Sequence, residues 1–90
     1  MKVKVRLLRP FSDAVGRPEL DVAVPGGATV RHLVVHLCEQ YPMLAPHIYE
    51  AGGGMTEYLT MFQNDKPVMD LEMELHDGDE VLMMFPVSGG

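Results

Sequence analysis

The first half of the chain has two short segments in which every second residue is apolar, and then one segment in which apolar residues recur at helical spacing. This order constrains the fold more than any other feature. Val3, Val5 and Leu7 alternate with basic residues, which is typical of a half-buried strand. The same alternation returns at residues 20–24 and ends at a Pro-Gly-Gly sequence. We therefore expect two strands that form a hairpin with a long loop between them.

A single main helix is predicted after this hairpin. Thr29 has a side chain that suits an N-cap, and Pro42 lacks the amide hydrogen that a continuing helix needs. Between them, apolar residues recur at helical spacing: Val30, Leu33, Val34, Leu37, Cys38 and Tyr41. One face of the helix should therefore pack on the sheet, and residues 43–50 have room for a short helical turn.

Three more strands are predicted in the second half of the chain. We place them at residues 58–63, 68–69 and 80–85, with turns at residues 64–67 and 76–79. This element order in 90 residues indicates one α+β domain, a small mixed sheet with one main helix packed on one face. The last strand should lie beside the first, which brings Glu80 near the basic row of that strand. The expected fold is the β-grasp, or ubiquitin-like, fold.

Composition argues against several classes of partner. The net charge of -6 argues against nucleic acid, since phosphate binding needs clustered Lys and Arg. No apolar run approaches the ~20 residues of a membrane span, so no membrane partner is expected. The single cysteine cannot form an internal disulfide, which fits a cytoplasmic location. Acidic residues crowd positions 70–80, and they indicate either a solvated face or a docking surface for a basic partner.

The chain ends in Gly89-Gly90, beyond a proline that should stop the last strand. Pro86 cannot donate to a sheet ladder, so we expect a domain at residues 1–86 and a flexible arm at residues 87–90. Glycine has no Cβ, so such an arm can enter a narrow channel and present the carboxylate of Gly90 to another protein. Frayed ends are common, so the pair alone is weak evidence. The sequence leaves open whether Gly90 is a native or a trimmed end.

Several segments resemble one known family. The turn and strand at residues 77–81 and the final six residues, Phe85 to Gly90, resemble the end of the small subunit of molybdopterin synthase. They are also similar to the archaeal ubiquitin-like small modifier proteins, which share that ancestry. Residues 26–30 and 64–68 also fit this family. Asp65, however, stands at a position where the family usually has glycine, so the type of this turn is left open.

This resemblance implies that Gly90 is the reacting group and that the chain contributes no catalytic side chain and binds no cofactor. A separate adenylating enzyme would use ATP to convert the Gly90 carboxylate to an acyl-adenylate. Attack by sulfur would then give a thiocarboxylate that donates sulfur in molybdenum or tungsten cofactor biosynthesis, with the large subunit of molybdopterin synthase as partner. Attack by a lysine of a target protein would instead give an isopeptide bond, as in a ubiquitin-like modifier. A β-grasp interaction module with an inert tail is the third alternative.

The last strand and the arm contain the residues that we expect to contact partners: Leu82, Met84, Phe85, Pro86, Val87, Ser88 and Gly89. Both faces of the last strand are apolar, whereas a surface strand normally alternates with polar residues. Two explanations stay open. The strand is central and covered on both sides, or Leu82 and Met84 form an exposed patch that docks the adenylating enzyme and the large subunit.

Other possible sites have simpler explanations. His32 and His36 have a zinc-binding spacing, but no fourth ligand accompanies them, so a solvated helix face is expected. Cys38 is predicted to be a core thiol rather than a nucleophile. Asp77 and Asp79 are interpreted as turn residues. No metal site is therefore predicted.

Overall fold

A computed structural model describes residues 1–86 of the chain, and these residues contain one mixed sheet of five strands. The strands are β1 (Lys2–Leu7), β2 (Glu19–Ala23), β3 (Thr60–Gln63), β4 (Lys66–Pro67) and β5 (Glu80–Met84). Their order in the sheet is β2-β1-β5-β3-β4. β1 and β5 are parallel neighbours at the centre, and the other pairs are antiparallel. The predicted pairing of the last strand with the first is confirmed.

The alternation in β1 and β2 directs one side chain in two into the core. Val3, Val5 and Leu7 are buried, while the basic residues between them are exposed. β2 repeats this pattern with Leu20 and Val22. Because a one-residue shift would expose every one of these side chains, the pattern fixes the register of the hairpin.

The main helix, α2 (Val30–Gln40), packs on one face of the sheet. Thr29 is its N-cap as predicted, and the Thr29 hydroxyl accepts a hydrogen bond from the His32 backbone N–H. The His32 ring accepts a hydrogen bond from the Thr29 backbone N–H in return, which completes a capping box. A 3₁₀ turn at Pro42–Leu44 and a short helix, α3 (Ala45–Ile48), follow, in agreement with the predicted helical turn.

Four details of the sequence-based assignment are wrong. The loop after β1 contains a five-residue helix, α1 (Phe11–Val15), which is too short to show a helical period. The fourth strand is at residues 66–67 rather than 68–69, because a two-residue turn lets pairing resume at once. β3 begins at residue 60 rather than 58, since a turn occupies residues 57–58. β5 ends at residue 84, because the next side chain packs against α1.

The core lies between the sheet and the helices. Its fully buried side chains include Leu7, Phe11, Leu33, Leu37, Leu44, Ile48, Val81 and Met83. The Cα radius of gyration is 12.4 Å, which is the value expected for a compact chain of this length. No helix within residues 1–86 is long and apolar enough to cross a membrane.

Candidate functional site: the end of β5 and the open face of the sheet

β5 is the strand that leads to the C-terminal residues, and the sheet holds it from both sides. Val81 lies opposite Val5 of β1, and Met83 lies opposite Leu7 of β1 and Met61 of β3. The pairing of β5 with this side of the sheet continues one residue past the end of β1, because the backbone N–H of Leu8 donates to the Met83 carbonyl at 3.1 Å. The segment that precedes the arm is therefore anchored in the middle of the sheet rather than at an edge.

Phe85, directly after β5, packs against α1. Its ring lies 4.8 Å from the ring of Phe11, which is fully buried, and Phe85 itself is half-buried. Pro86 is exposed. Predicted site residues Val87, Ser88, Gly89 and Gly90 lie outside the described residues, so the predicted arm stays a prediction.

The two faces of β5 have different environments. Val81 and Met83 are completely buried beneath the helices, whereas Leu82 and Met84 are half-buried on the opposite face. We call this second side of the sheet the open face, because the helical layer of residues 1–86 packs on the other side. β5 is a central strand, as the first explanation expects, but the described residues cover its second face only in part. The partial exposure of Leu82 and Met84 agrees with the alternative of an accessible apolar patch.

A shallow depression of about 500 Å³ lies on the open face. Leu82 of β5 and Phe62 of β3, which are paired in register, both line it, and so does Leu8, which follows β1 and is 47% exposed. Arg6, Glu19, Asp65 and Glu80 add charges around these apolar groups. Apolar groups next to charged ones are compatible with a protein-docking surface, whose core is apolar and whose rim is polar.

Arg6 connects the two central strands to β2 through ion pairs on this face. Its guanidinium lies 3.0 Å from the carboxylate of Glu80 and 3.4 Å from that of Glu19. The predicted proximity of Glu80 to the basic row of β1 is thus confirmed. All three side chains are about half exposed, so the pairs contribute little to stability and can exchange partners at small cost.

Asp79 fixes the point at which β5 begins. Its carboxylate accepts hydrogen bonds from the side-chain amides of Gln63 and Asn64 and from the His76 backbone N–H, each at 2.8 Å. Burial by itself raises the pKa of Asp79, but the hydrogen bonds from Asn64, His76 and Gln63 together outweigh it and hold this pKa below its ordinary value. Asp79 therefore acts as a structural acceptor that joins two turns, in line with its interpretation as a turn residue.

The remaining candidates have structural roles. The Nδ1 atom of His32 accepts from the Thr29 backbone N–H at 3.0 Å, which occupies one possible metal-binding nitrogen. Across residues 1–86, no group of three or more His, Cys, Asp or Glu side chains is arranged to hold a metal ion. Cys38 is half-buried, and burial raises the pKa of its thiol, which disfavours the nucleophilic thiolate.

Sequence reasoning missed Phe62 and Leu8 as parts of the open face. For Phe62 a signal existed, since it alternates with buried Met61 along β3 and must therefore face the other way. For Leu8 the sequence contains no such signal, because the position of its side chain depends on the path of the chain between β1 and α1. The contact between Phe11 and Phe85 was equally invisible, since it joins residues far apart in the sequence.

Comparison with known proteins places this arrangement among ubiquitin-like folds. The profile of the ThiS family matches residues 5–90. Small archaeal modifier protein 3 of Haloferax volcanii is 29% identical over 93 residues, with 100% of each chain covered. The solution structure of small archaeal modifier protein 1 from Methanosarcina acetivorans is 31% identical, with a TM-score of 0.83 and coverage of 99% of this chain and 96% of that chain.

A structure described as a putative molybdopterin converting factor, subunit 1, from Pyrococcus furiosus is 26% identical with a TM-score of 0.80. It covers 97% of this chain, and 99% of that chain is matched. The family match extends over nearly all of the sheet, the helices and the residues that follow β5. The predicted β-grasp fold is confirmed.

Proposed function

The chain belongs to the ThiS family of ubiquitin-like sulfur carriers and modifiers, and from this membership we propose that it is a sulfur carrier that reacts through Gly90. The observation that supports the proposal most is that the family match runs through residue 90. The arm that would contain this group follows directly from the central strand β5. A firmly held strand gives a partner enzyme a fixed reference from which to guide the terminal glycines.

Gly90 needs an external activator, because a carboxylate is a poor electrophile. In the proposed reaction, a carboxylate oxygen of Gly90 attacks the α-phosphate of ATP, and pyrophosphate leaves. The resulting acyl-adenylate has AMP as a good leaving group. Hydrosulfide delivered by a donor then attacks the carbonyl carbon and displaces AMP, and loss of a proton leaves the thiocarboxylate. Both the activator and the donor are separate proteins, and this chain supplies the acyl group and the recognition surface.

The open face is the proposed docking surface for the adenylating enzyme. Leu82, Met84 and Phe62 present apolar surface that the core does not need, and they lie on the strands nearest to the base of the arm. Pro86, exposed just beyond β5, would lie at the entrance to the partner's channel. Burying such partly exposed apolar groups in the complex provides binding free energy far from the reacting atom.

We further propose that the sulfur serves molybdopterin synthesis, with the large subunit of molybdopterin synthase as the second partner. Support comes from the Pyrococcus furiosus protein, whose description names it as subunit 1 of a molybdopterin converting factor. Its similarity covers nearly the whole of both chains. The same arm and the same open face would be used in turn by the adenylating enzyme and by the large subunit.

Covalent attachment to target proteins is the second candidate function. It is favoured by the similarity to small archaeal modifier proteins from two organisms, which extends over essentially the whole chain. The route shares the acyl-adenylate, and it differs only in the group that attacks the carbonyl carbon. A lysine amine in place of sulfur gives an isopeptide bond to a target protein.

The experiment is reconstitution followed by intact-mass measurement. The full chain is incubated with an adenylating enzyme, ATP and a sulfur donor, and a variant lacking Gly90 serves as the control. Replacement of one oxygen by sulfur in the full chain, but not in the variant, supports the carrier function. Lysine-linked adducts in cells, without the sulfur product, would favour the modifier function. Two unchanged masses in the reconstitution, together with no lysine-linked adducts in cells, would contradict both.

A further inference from the structure

Another depression, lined by apolar and polar side chains, lies beside β4, on the side of the sheet opposite the open face. It has a volume of about 350 Å³, and we call it the methionine hollow. Its apolar lining consists of Met55, Leu59, Met61, Val68, Met69 and Leu71. Met61 and Phe62 are consecutive in β3, so their side chains leave opposite faces of the sheet. A molecule in the hollow would therefore leave the open face uncovered.

The hollow contains apolar surface that the fold does not use. Met69 is 88% exposed, which is the highest exposure of any large apolar residue between residues 1 and 86. Most of the other lining residues are only half-buried, although they are packed against the core. Methionine side chains are unbranched and adaptable, and they recur at surfaces that accommodate a partner's apolar side chain.

Carboxylates lie at the rim of the hollow. Glu57 and Asp70 are both lining residues, both are exposed, and neither forms an ion pair within the described part of the chain. The Asp70 side chain accepts a hydrogen bond from the Glu72 backbone N–H, which orients the carboxylate without neutralising it. This rim attracts a cationic partner and repels an anionic one.

We propose that the methionine hollow binds a basic segment of a partner protein, which inserts one large apolar side chain between lysine or arginine residues. A second copy of this chain is a poor occupant, because two chains of net charge -6 repel each other. The proposal goes beyond the proposed function. A basic partner bound here and an adenylating enzyme on the open face would occupy opposite sides of the sheet, so the carrier could be engaged by both at once.

The test is a titration of the isotope-labelled full chain with three short synthetic peptides, followed by NMR of the methionine methyl groups. The first peptide has one leucine flanked by lysine and arginine. The second has alanine in place of that leucine, and the third has glutamine in place of the basic residues. We expect saturable shifts of the Met55, Met61 and Met69 signals with the first peptide, and binding at least tenfold weaker with the other two.

Matched variants decide whether the hollow is responsible. Met69→Ala and the charge reversal Glu57→Lys with Asp70→Lys should each weaken binding of the first peptide about tenfold, as expected for the loss of a few weak exposed contacts. Met43→Ala, at a methionine that is 49% exposed outside the hollow, should leave binding unchanged. Thiocarboxylate formation at Gly90 should be the same in all these variants, so this test is independent of the proposed function.

Several results would overturn the proposal. If the alanine peptide bound as tightly as the first peptide, binding would be unspecific charge attraction. If the glutamine peptide bound as tightly as the first, the acidic rim would have no role in binding. The proposal would also be contradicted if the NMR signals that shift belonged only to residues of the open face, or if no saturable binding occurred. The same holds if Met69→Ala and Met43→Ala weakened binding of the first peptide equally. Self-association lost on Met69→Ala would show that a second copy is the occupant.

Discussion

At the scale of single residues, Asp79 joins two turns that are separated in the sequence. Its carboxylate accepts from Gln63 and Asn64 on one side and from the His76 backbone on the other. Asn64 also accepts a hydrogen bond from the Glu80 backbone N–H, so the start of β5 is tied to the turn after β3. The side chain is only 10% exposed, so water cannot easily replace these bonds.

Replacing Asp79 with asparagine should destabilise the fold by about 2 to 3 kcal/mol, because an amide group would face donors that now bind a carboxylate. The pKa of Asp79 is below its ordinary value in the folded chain, so its contribution is fully present above the unfolded pKa of about 3.9. It is lost as the pH falls through the folded pKa. Urea unfolding of Asp79→Asn between pH 7 and pH 3 should therefore show a weaker decline in stability than the natural chain shows.

Asp21→Asn is the matched control, since Asp21 is exposed on β2. It should change the free energy of unfolding by no more than about 0.5 kcal/mol. Equal effects of the two substitutions, or an unaltered pH dependence in Asp79→Asn, would contradict the structural role of Asp79.

Asp65 occupies a backbone conformation that suits glycine better. Asn64 and Asp65 have φ angles of 49° and 68°, so both central positions of this two-residue turn are left-handed, as a type I′ hairpin requires. This answers the question of turn type that the sequence left open. Asp65→Gly should raise the free energy of unfolding by about 0.5 to 1 kcal/mol. Asp65→Asn, which removes the charge and keeps the Cβ, should gain less. A destabilised Asp65→Gly variant in thermal unfolding would be inconsistent with this account.

At the scale of elements, the strands and the helix with a strong apolar period were predictable from the sequence. The elements that the sequence did not predict depend on contacts between distant residues. β1, β2 and α2 were predictable because each has a regular apolar period and a terminator, such as Thr29 or Pro42. α1 and β4 are too short to have a period, so they depend on Phe11 filling the core and on the turn at residues 64–65. The open face was partly predictable from the alternation in β5. The position of Leu8 on that face and the contact of Phe11 with Phe85 depend on tertiary packing, which the sequence pattern does not show.

The arm can be tested as an element separate from the folded domain. Gly89→Val should leave the free energy of unfolding within about 0.5 kcal/mol of the natural value. It should abolish thiocarboxylate formation, because a branched Cβ narrows the conformations with which the arm enters a channel. Gly52→Val is the control, since a Cβ at Gly52 meets nothing within 4 Å. A large loss of thermal stability in Gly89→Val would refute the prediction of a free arm.

At the scale of the whole molecule, the sheet separates two surfaces, and only the open face should matter for activation. Leu82→Glu places a carboxylate next to Phe62 and Glu80 on that face. We expect kcat/KM of the adenylating enzyme for this variant to fall at least tenfold, mainly through KM, as for an interface hot spot. Val35→Glu, at a 42% exposed position of α2, should have no such effect.

If Leu82→Glu proves poorly folded, Leu82→Ala tests the same contact with less disturbance. Equal activation of the Leu82 and Val35 variants would mean that the adenylating enzyme docks elsewhere. The open face would then have no part in the proposed function.

The central claim is that a folded domain presents one terminal carboxylate for activation by other proteins. The most direct test is the intact mass of the chain isolated from its own cells, with fragmentation to locate any change. The account predicts a fraction of molecules that end at Gly90 with sulfur in place of one carboxyl oxygen, or that are joined through Gly90 to a target. Molecules that uniformly continue past Gly90, or a strain that functions normally without Gly90, would contradict it.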